Sequence, residues 1–278
     1  MTAWERPSIA GALAWARKYI PPPEARLLLR HVHGCTAAHL AAWPEETLPA
    51  AEREAFRRLV ERRKAGEPVA YLTGLREFYG RDFLVTQAVL IPRPETELLV
   101  ELALHRLAAE ARPTVLDLGT GSGALAVTLA LEWDCADVTA LDYSREALEV
   151  AKTNAERLDA KIGFLHGDWY AALGEARFHL IVANPPYIPE GDPHLARGDL
   201  RFEPRAALVA GDDGLACLAP IVAGASRHLE HGGWLLMEHG HDQAAAVRGL
   251  LAGAGFSGIA SWPDLAGIPR VSGGRWRA

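Results

Sequence analysis

A glycine-rich stretch, Gly119-Thr120-Gly121-Ser122-Gly123, follows directly on the apolar run Val115-Leu116-Asp117-Leu118 and runs straight into helix-forming residues 124–132. A strand, a glycine turn and a helix in immediate succession fit few architectures. Glycine admits left-handed backbone and lets a ligand come close to the chain, and the helix start adds unpaired N–H groups. Asp142 stands 23 positions after Gly119, at the end of the next expected strand, where a carboxylate can bind both hydroxyls of a ribose. GTGSG departs from GxGxxG, which argues against a nicotinamide dinucleotide. A glycine turn with no ligand is the plain alternative, and Asp142 weighs against it.

From Pro113 onward, expected strands at 114–118, 137–141, 162–166, 179–183, 233–238, 256–262 and 270–273 alternate with helical segments at 124–132, 145–158, 215–228 and 243–254. Such alternation predicts an α/β fold, a mostly parallel Rossmann-like sheet with helices on both faces. Its ligands would sit at the C-terminal strand ends, near the switch in strand order. Residues 1–68 read as a small helical bundle. Ser8 and Thr36 serve as helix caps, the prolines at 21–23 separate the first two helices, and Phe56, Leu59 and Val60 share one face of a fourth. Residues 69–92, with Gly74 and Gly80 among aromatic and β-branched residues, predict a β-hairpin linker, and a helix is expected from about Glu95 to Ala109. The expected domains are therefore 1–68, 69–92 and 93–278.

With 278 residues, 49% of them hydrophobic and 23% charged, the chain can bury a sizeable core and is not disordered. The net charge of −6 divides unevenly, +3 over residues 1–75 and −9 over the rest, so a basic footprint for nucleic acid is absent. Cys35, Cys135 and Cys217 form neither a disulfide framework nor a zinc spacing. The start of the chain does not read as a signal peptide, and no apolar run approaches membrane-spanning length. A cytoplasmic protein is expected.

The second constellation is Asn184-Pro185-Pro186-Tyr187, placed directly after the apolar strand 179–183. Asn184 offers an amide oxygen, while the two prolines fix φ and remove N–H donors. The Asn184 and Pro185 carbonyls are then available to accept, and Tyr187 supplies a flat wall. The set reads as an acceptor-only clamp for an NH₂ group, against the plainer reading of a proline-rich turn.

The pairing of DLGTGSG with NPPY resembles the class I S-adenosylmethionine-dependent methyltransferases that modify planar NH₂ groups. Ile91-Pro92-Arg93-Pro94-Glu95-Thr96-Glu97, Gly167-Asp168-Trp169-Tyr170, Glu203-Pro204-Arg205-Ala206-Ala207-Leu208 and Gly211-Asp212-Asp213-Gly214-Leu215 narrow the resemblance to the bacterial release-factor glutamine methyltransferases, over nearly the whole chain. The resemblance implies S-adenosylmethionine as cofactor, its methionine part wrapped by Gly119 to Gly123, its ribose held by Asp142 and its adenine bordered by Asp168 and Trp169. Asn184 would touch both cofactor and substrate. Asn184, Pro185, Pro186 and Tyr187 would hold a glutamine side chain, and residues 1–68 would dock the protein substrate. That substrate would be a peptide chain release factor, methylated on the glutamine of its Gly-Gly-Gln loop. Arg93 and Glu97 would either position the substrate loop or pair at a helix entry.

An amide nitrogen is a poor nucleophile, but an activated methyl needs orientation of the nitrogen rather than a strong base, so no triad or metal is called for. The histidine pairs His228/His231 and His239/His241 lack metal spacing, and no metal is expected. Trp4, Trp15 and Trp43 are expected in core or interface. The competing readings are a ribosomal-protein glutamine methyltransferase, a DNA adenine-N6 methyltransferase, against which the acidic second part argues, and a non-catalytic scaffold, against which the intact NPPY argues.

Overall fold

The structure, a computed structural model, describes residues 8–107 and 111–277. Trp4, and the end of the helix expected to reach Ala109, lie outside the described residues. The chain divides into two compact units. The first runs to Leu75 and also takes in Ala196–Phe202, and the second comprises Arg76–Leu195 and Glu203–Ala278.

In the first unit, α1 (Ile9–Ala16) begins where Ser8 Oγ accepts from Gly11 N at 3.2 Å, and α3 (Ala37–Ala42) where Thr36 Oγ1 accepts from His39 N at 3.1 Å. Pro22 and Pro23 do not merely stop α1. They occupy the first turn of α2 (Pro22–His33), where a missing N–H costs nothing, and Gly34 in left-handed conformation ends it. The helix α4 (Ala50–Lys64) completes the bundle. Ile9, Leu28, Leu29, Phe56 and Val60 are fully buried. Each such side chain contributes about 1.5–3 kcal/mol, whereas exposed pairs such as Arg57–Glu54 are screened by solvent and add little. Arg63 is a better placed ion. It grips Glu24 of α2 with Nε at 2.7 Å and Nη2 at 2.9 Å, and donates from Nη1 to Asp199 at 3.0 Å.

The expected hairpin is shorter than 69–92. Val69–Thr73 forms a helix, α5, launched from Pro68 and ended by left-handed Gly74, because Leu72 is drawn into the bundle core. Only β1 (Leu75–Phe78) and β2 (Arg81–Leu84) pair, across a turn in which Tyr79 and Gly80 both have positive φ. Trp43 is 62% exposed, so it is not part of the core.

In the second unit a 3-10 turn at Pro94–Thr96 leads into α6 (Glu97–Leu107). The strands β3 (Thr114–Leu118), β4 (Asp137–Asp142), β5 (Ile162–His166), β6 (Phe178–Ala183), β7 (Leu229–Glu238), β8 (Ser257–Pro263) and β9 (Pro269–Arg275) form one seven-stranded sheet in the order β5-β4-β3-β6-β7-β9-β8. The first five are parallel, and β9 runs antiparallel to both its neighbours. The helices α7 (Ala124–Glu132), α8 (Arg145–Arg157), α9 (Leu218–His228) and α10 (Ala244–Gly253) flank it. Alternate residues of the central strands serve opposite cores. Val115, Leu180 and Val182 join the cluster with α6 and α7, while Leu116, Leu118, Ile181 and Ala183 join the cluster with α9 and α10. Strands buried on both faces read as continuous apolar runs, which is why they were visible in the sequence. Asn154 of α8, fully buried, accepts from Leu84 N at 2.7 Å and donates to the carbonyls of Leu84 and Ser122 at 2.9 Å, so one amide anchors both the hairpin and the glycine loop.

His33 generates a pH prediction. Its Nδ1 lies 2.6 Å from Glu52 Oε2 and its Nε2 3.3 Å from Glu46 Oε1. The hydrogen bond to Glu52, aided by both carboxylate charges, raises its pKa above the usual 6.5 against the opposing effect of burial. A raised histidine stabilises the folded state fully below the unfolded pKa, and this contribution is lost as pH rises through the folded value. The stability gap between wild type and His33→Asn, measured by thermal unfolding, is therefore expected to be larger near pH 6 than near about pH 8.5. An equal gap at both would exclude the ion pair as a stabilising interaction.

Candidate active site

The parallel register sets the site. Leu118 of β3 pairs with Leu141 of β4 on one side and with Ala183 of β6 on the other. The next residue of each strand or its exit is Gly119, Asp142 and Asn184, so the three sit at one level at the C-terminal edge of the sheet, where the strand order switches. A cavity of about 490 Å³ opens there.

Gly119 and Gly121 take left-handed φ values of 75° and 55°, which the tight turn over the strand end requires. Gly119 N and Thr120 N both donate to Leu141 O, at 2.8 and 3.0 Å, and Thr120 Oγ1 donates to buried Asp117 at 2.7 Å. The Asp142 carboxylate accepts from Gly121 N through Oδ2 and from Ser144 N through Oδ1, both at 2.8 Å. Burial raises its pKa, while these backbone donors and His166 pull the other way. Each of its oxygens keeps a further lone pair for a ligand. Gly119, Thr120, Gly121, Ser122, Asp142, Asp168, Trp169, Asn184 and Pro186 all lie on the cavity wall.

Four expected site residues lie elsewhere. Gly123, with left-handed φ of 81°, faces α8 instead: a Cβ there would stand 3.1 Å from Ala151 Cβ. Pro185 is buried and off the wall. Tyr187 does not form a wall of the cavity either. Its hydroxyl donates to Glu238 Oε1 at 3.2 Å and its carbonyl accepts from Gln243 Nε2 at 3.0 Å, so it pins the loop from behind. Arg93 pairs with Glu203, whose other oxygen accepts from Ile91 N at 3.1 Å. Glu97 is not its partner; it accepts from Tyr79 N at 2.9 Å. These contacts join the IPRPETE and EPRAAL segments, which explains why both accompany the NPPY loop. The loop's exit is held further by Ile188 N to Leu208 O and Ala210 N to Ile188 O, each at 2.9 Å.

The amide of Asn184 is the chemically telling group. Its Nδ2 donates to Thr96 Oγ1 at 3.1 Å, and Thr96 Oγ1 donates to Glu238 Oε2 at 2.7 Å. Its Oδ1 is buried with no hydrogen-bond partner. A buried acceptor costs about 1–3 kcal/mol when left unmade, so a donor supplied by a ligand is favoured there. Thr96, Cys217 and the 88–90 loop also line the cavity and were not anticipated, nor was Glu238 behind it. The available signal was a glutamate ending the apolar run Trp234-Leu235-Leu236-Met237.

Two of the histidines considered as ligands, His228 and His239, have other partners. His228 Nδ1 lies 3.0 Å from Ala176 O and its ring stacks on Tyr170, while His239 contacts Gly240 O and Ser272 Oγ. Among the described residues, His33, His39 and Glu46 bring ligand atoms within 4.8 Å of one another; they belong to the helical unit, not to this cavity.

Residues 11–74 match the PrmC N-terminal domain family and residues 95–197 the methyltransferase small domain family. The chain is 56% identical over 256 residues to the release factor glutamine methyltransferase of Bordetella pertussis, covering 92% of this chain and 95% of that one. It is 49% identical over 270 residues to that of Xylella fastidiosa, covering 97% and 98%. Among solved structures it resembles the T. thermophilus 16S rRNA N2 G1207 methyltransferase bound to AdoMet and guanosine, with TM-score 0.54, 24% identity, and coverage of 73% of this chain and 50% of that one. A methyltransferase from Pyrococcus furiosus gives TM-score 0.53 at 18% identity over 80% and 98%. Those likenesses place the sheet among methyltransferase folds, and the sequence identities over nearly full length go further: the chain belongs to the release factor glutamine methyltransferase family.

Proposed function

We propose that this protein transfers the methyl group of S-adenosylmethionine to the side-chain amide nitrogen of a glutamine in a peptide chain release factor, within its Gly-Gly-Gln loop. The observation that carries this reading is the buried, unpartnered Oδ1 of Asn184, a residue that lines the cavity together with Asp142 and the glycine loop.

The residues present suit the cofactor. About 490 Å³ lies within the usual range for small-molecule sites. Asp142 would hold the ribose hydroxyls, Gly119, Thr120, Gly121 and Ser122 the methionine part, and Asp168 with Trp169 the adenine. When bound, S-adenosylmethionine supplies a methyl group already activated on a sulfonium sulfur.

The chain's own task is orientation. A glutamine NH₂ has its lone pair delocalised into the adjacent carbonyl. Asn184 Oδ1 would accept one N–H, and the carbonyl of Pro185, which is buried off the wall, would reach the other after a shift of the loop on binding, turning the nitrogen lone pair toward the methyl. The same two acceptors would stabilise positive charge growing on nitrogen. The proton can leave for solvent after the methyl arrives, so no base on the wall is needed first. The carbonyl of Pro185 lies next to a residue with no N–H, which keeps donors away from the substrate amide. The charge of −9 over residues 76–278 argues against a nucleic-acid substrate. The first unit, with the opposite charge balance, is assigned to docking the protein part of the substrate.

Methyl transfer offered separately to intact release factor, a short peptide carrying its Gly-Gly-Gln loop, a ribosomal protein and DNA tests all of this. Intact factor is expected to react with the lowest KM. Preferred transfer to ribosomal protein or DNA would overturn the substrate, and equal KM for factor and peptide would overturn the docking role.

Asp142→Ala removes a charge-assisted contact and also frees the N–H groups of Gly121 and Ser144. Cofactor binding by calorimetry is expected to weaken by about 1.5–3 kcal/mol; unchanged affinity would remove Asp142 from the cofactor site. Asn184→Ala removes the acceptor, and the loss should fall mainly on kcat because orientation counts most in the transition state. Single-turnover transfer with saturating cofactor is expected to slow by about 100-fold or more, and near wild-type kcat would exclude the acceptor clamp.

A further inference from the structure

Glu238 ends β7 with 1% exposure and is not on the cavity wall. Two hydroxyls converge on it: Thr96 Oγ1 at 2.7 Å on Oε2 and Tyr187 OH at 3.2 Å on Oε1. A threonine hydroxyl carries a single proton. With that proton given to Glu238, Thr96 faces Asn184 purely as an acceptor. The Asn184 carboxamide must then present its NH₂ to Thr96, 3.1 Å away, and its oxygen to the other side.

We propose that Glu238 is a positioning residue which, through the hydroxyl of Thr96, sets which end of the Asn184 carboxamide faces the reacting amide. The inference rests on the reading of Asn184 as an acceptor clamp. Shape alone does not fix that orientation, since the oxygen and nitrogen ends of a carboxamide are nearly the same size. A flipped Asn184 would point N–H donors at the NH₂ it must receive, and partial positive charge at a nitrogen that is itself becoming positive. Only an acceptor-only group at the far end of the relay forbids the flip. A carboxylate is such a group and a carboxamide is not.

The partners of Glu238 agree. Burial pushes the Tyr187 phenol pKa upward, so it stays protonated and donates. Arg270 favours the carboxylate of Glu238 while Glu95 opposes it, and Arg93 and Arg270 act on Tyr187. His239, next in the chain, is held below its usual pKa by burial and is neutral. Burial brings the Glu238 carboxyl up to about 7, against the two hydroxyl hydrogen bonds. Protonation on Oε2 would reverse the relay: the acid would donate to Thr96, Thr96 to Asn184, and the acceptor would turn away.

The test compares wild type with Glu238→Gln, Thr96→Val, Thr96→Ser and Asn184→Ala in single-turnover methyl transfer to release factor, in cofactor affinity by calorimetry and in kcat/KM against pH. In Glu238→Gln, Tyr187 still donates to the remaining oxygen, so the new NH₂ faces Thr96, whose own proton is then free to go to Asn184 and no longer forbids the flip at any pH. The expected result is a kcat lower by about 100-fold with cofactor affinity nearly unchanged. Wild type should show an acid limb in kcat/KM near pH 7, and Glu238→Gln should lack it. Thr96→Ser, which keeps the hydroxyl, should stay closer to wild type than Thr96→Val; this pair decides the matter if the glutamine variant fails to fold. Near wild-type kcat in Glu238→Gln, an acid limb that persists in it, or equal loss in both Thr96 variants overturns the relay. If Asn184→Ala is crippled while Glu238→Gln is not, only the relay falls. If Asn184→Ala is active, the clamp falls and the relay with it.

Discussion

Parallel pairing of β3 with β4 and β6 governs everything downstream in the second unit. Because Leu118 lies level with Leu141 and with Ala183, the chain leaves three strands at one height. The glycine loop, the Asp142 carboxylate and the Asn184 amide then need no long side chains to reach a common space. The cost of that arrangement is that backbone must turn sharply at the strand ends, and the left-handed Gly119 and Gly121, with the bonds of Gly119 N and Thr120 N to Leu141 O, meet it. A slip of one residue between β3 and β6 would invert every side chain of β6. Leu180 and Val182 would exchange cores with Ile181 and Ala183, so the two hydrophobic layers hold the site in register.

Behind this edge, polar groups act as struts. Asn154 ties the hairpin to the glycine loop, Asp117 holds Thr120, Glu203 joins Arg93 to Ile91, and Glu238 gathers Thr96 and Tyr187. Each is buried or nearly so, where an unmatched partner would be expensive, and all but Asp117 span segments distant in sequence. The cavity wall itself is made mostly of backbone and small side chains. Rigidity therefore resides one layer beneath the surface that a ligand touches.

Much of this was legible in the sequence because its signals are local. Strands of the parallel sheet are apolar runs, caps such as Ser8 and Thr36 announce helices, and Gly119 and Asp142 stand at the ends of adjacent strands. What stayed hidden depended on distant partners or on ambiguous residue types. Gly123 looks like its neighbours in the loop and shares their left-handed φ, yet Ala151 of a distant helix crowds it as well. Arg93 and Glu203 are 110 positions apart, and Thr96 and Glu238 are 142 apart, so no spacing rule relates them. Tyr187 was assigned to the cavity because it follows Pro186, whereas a buried carboxylate decides where its hydroxyl goes. Residues 69–73 carry strand-forming side chains, but Leu72 gains more by joining the bundle core as a helix.

The first unit is not one continuous stretch of chain. Ala196–Phe202 belongs to it, supplying Asp199 to Arg63, and Arg201 stands where any side chain at Gly66 would be. On the ribosome, the helices through Leu75 emerge long before that segment has been synthesised. Until then Arg63 has Glu24 and the carbonyls of Gly66 and Glu67 but not Asp199, and the strip that Ala196–Phe202 covers stays open to water. A part of the chain made earlier is thus completed by one made later, and the seven residues that close it arrive only after β3, β4 and β6 have left the peptidyl-transferase centre.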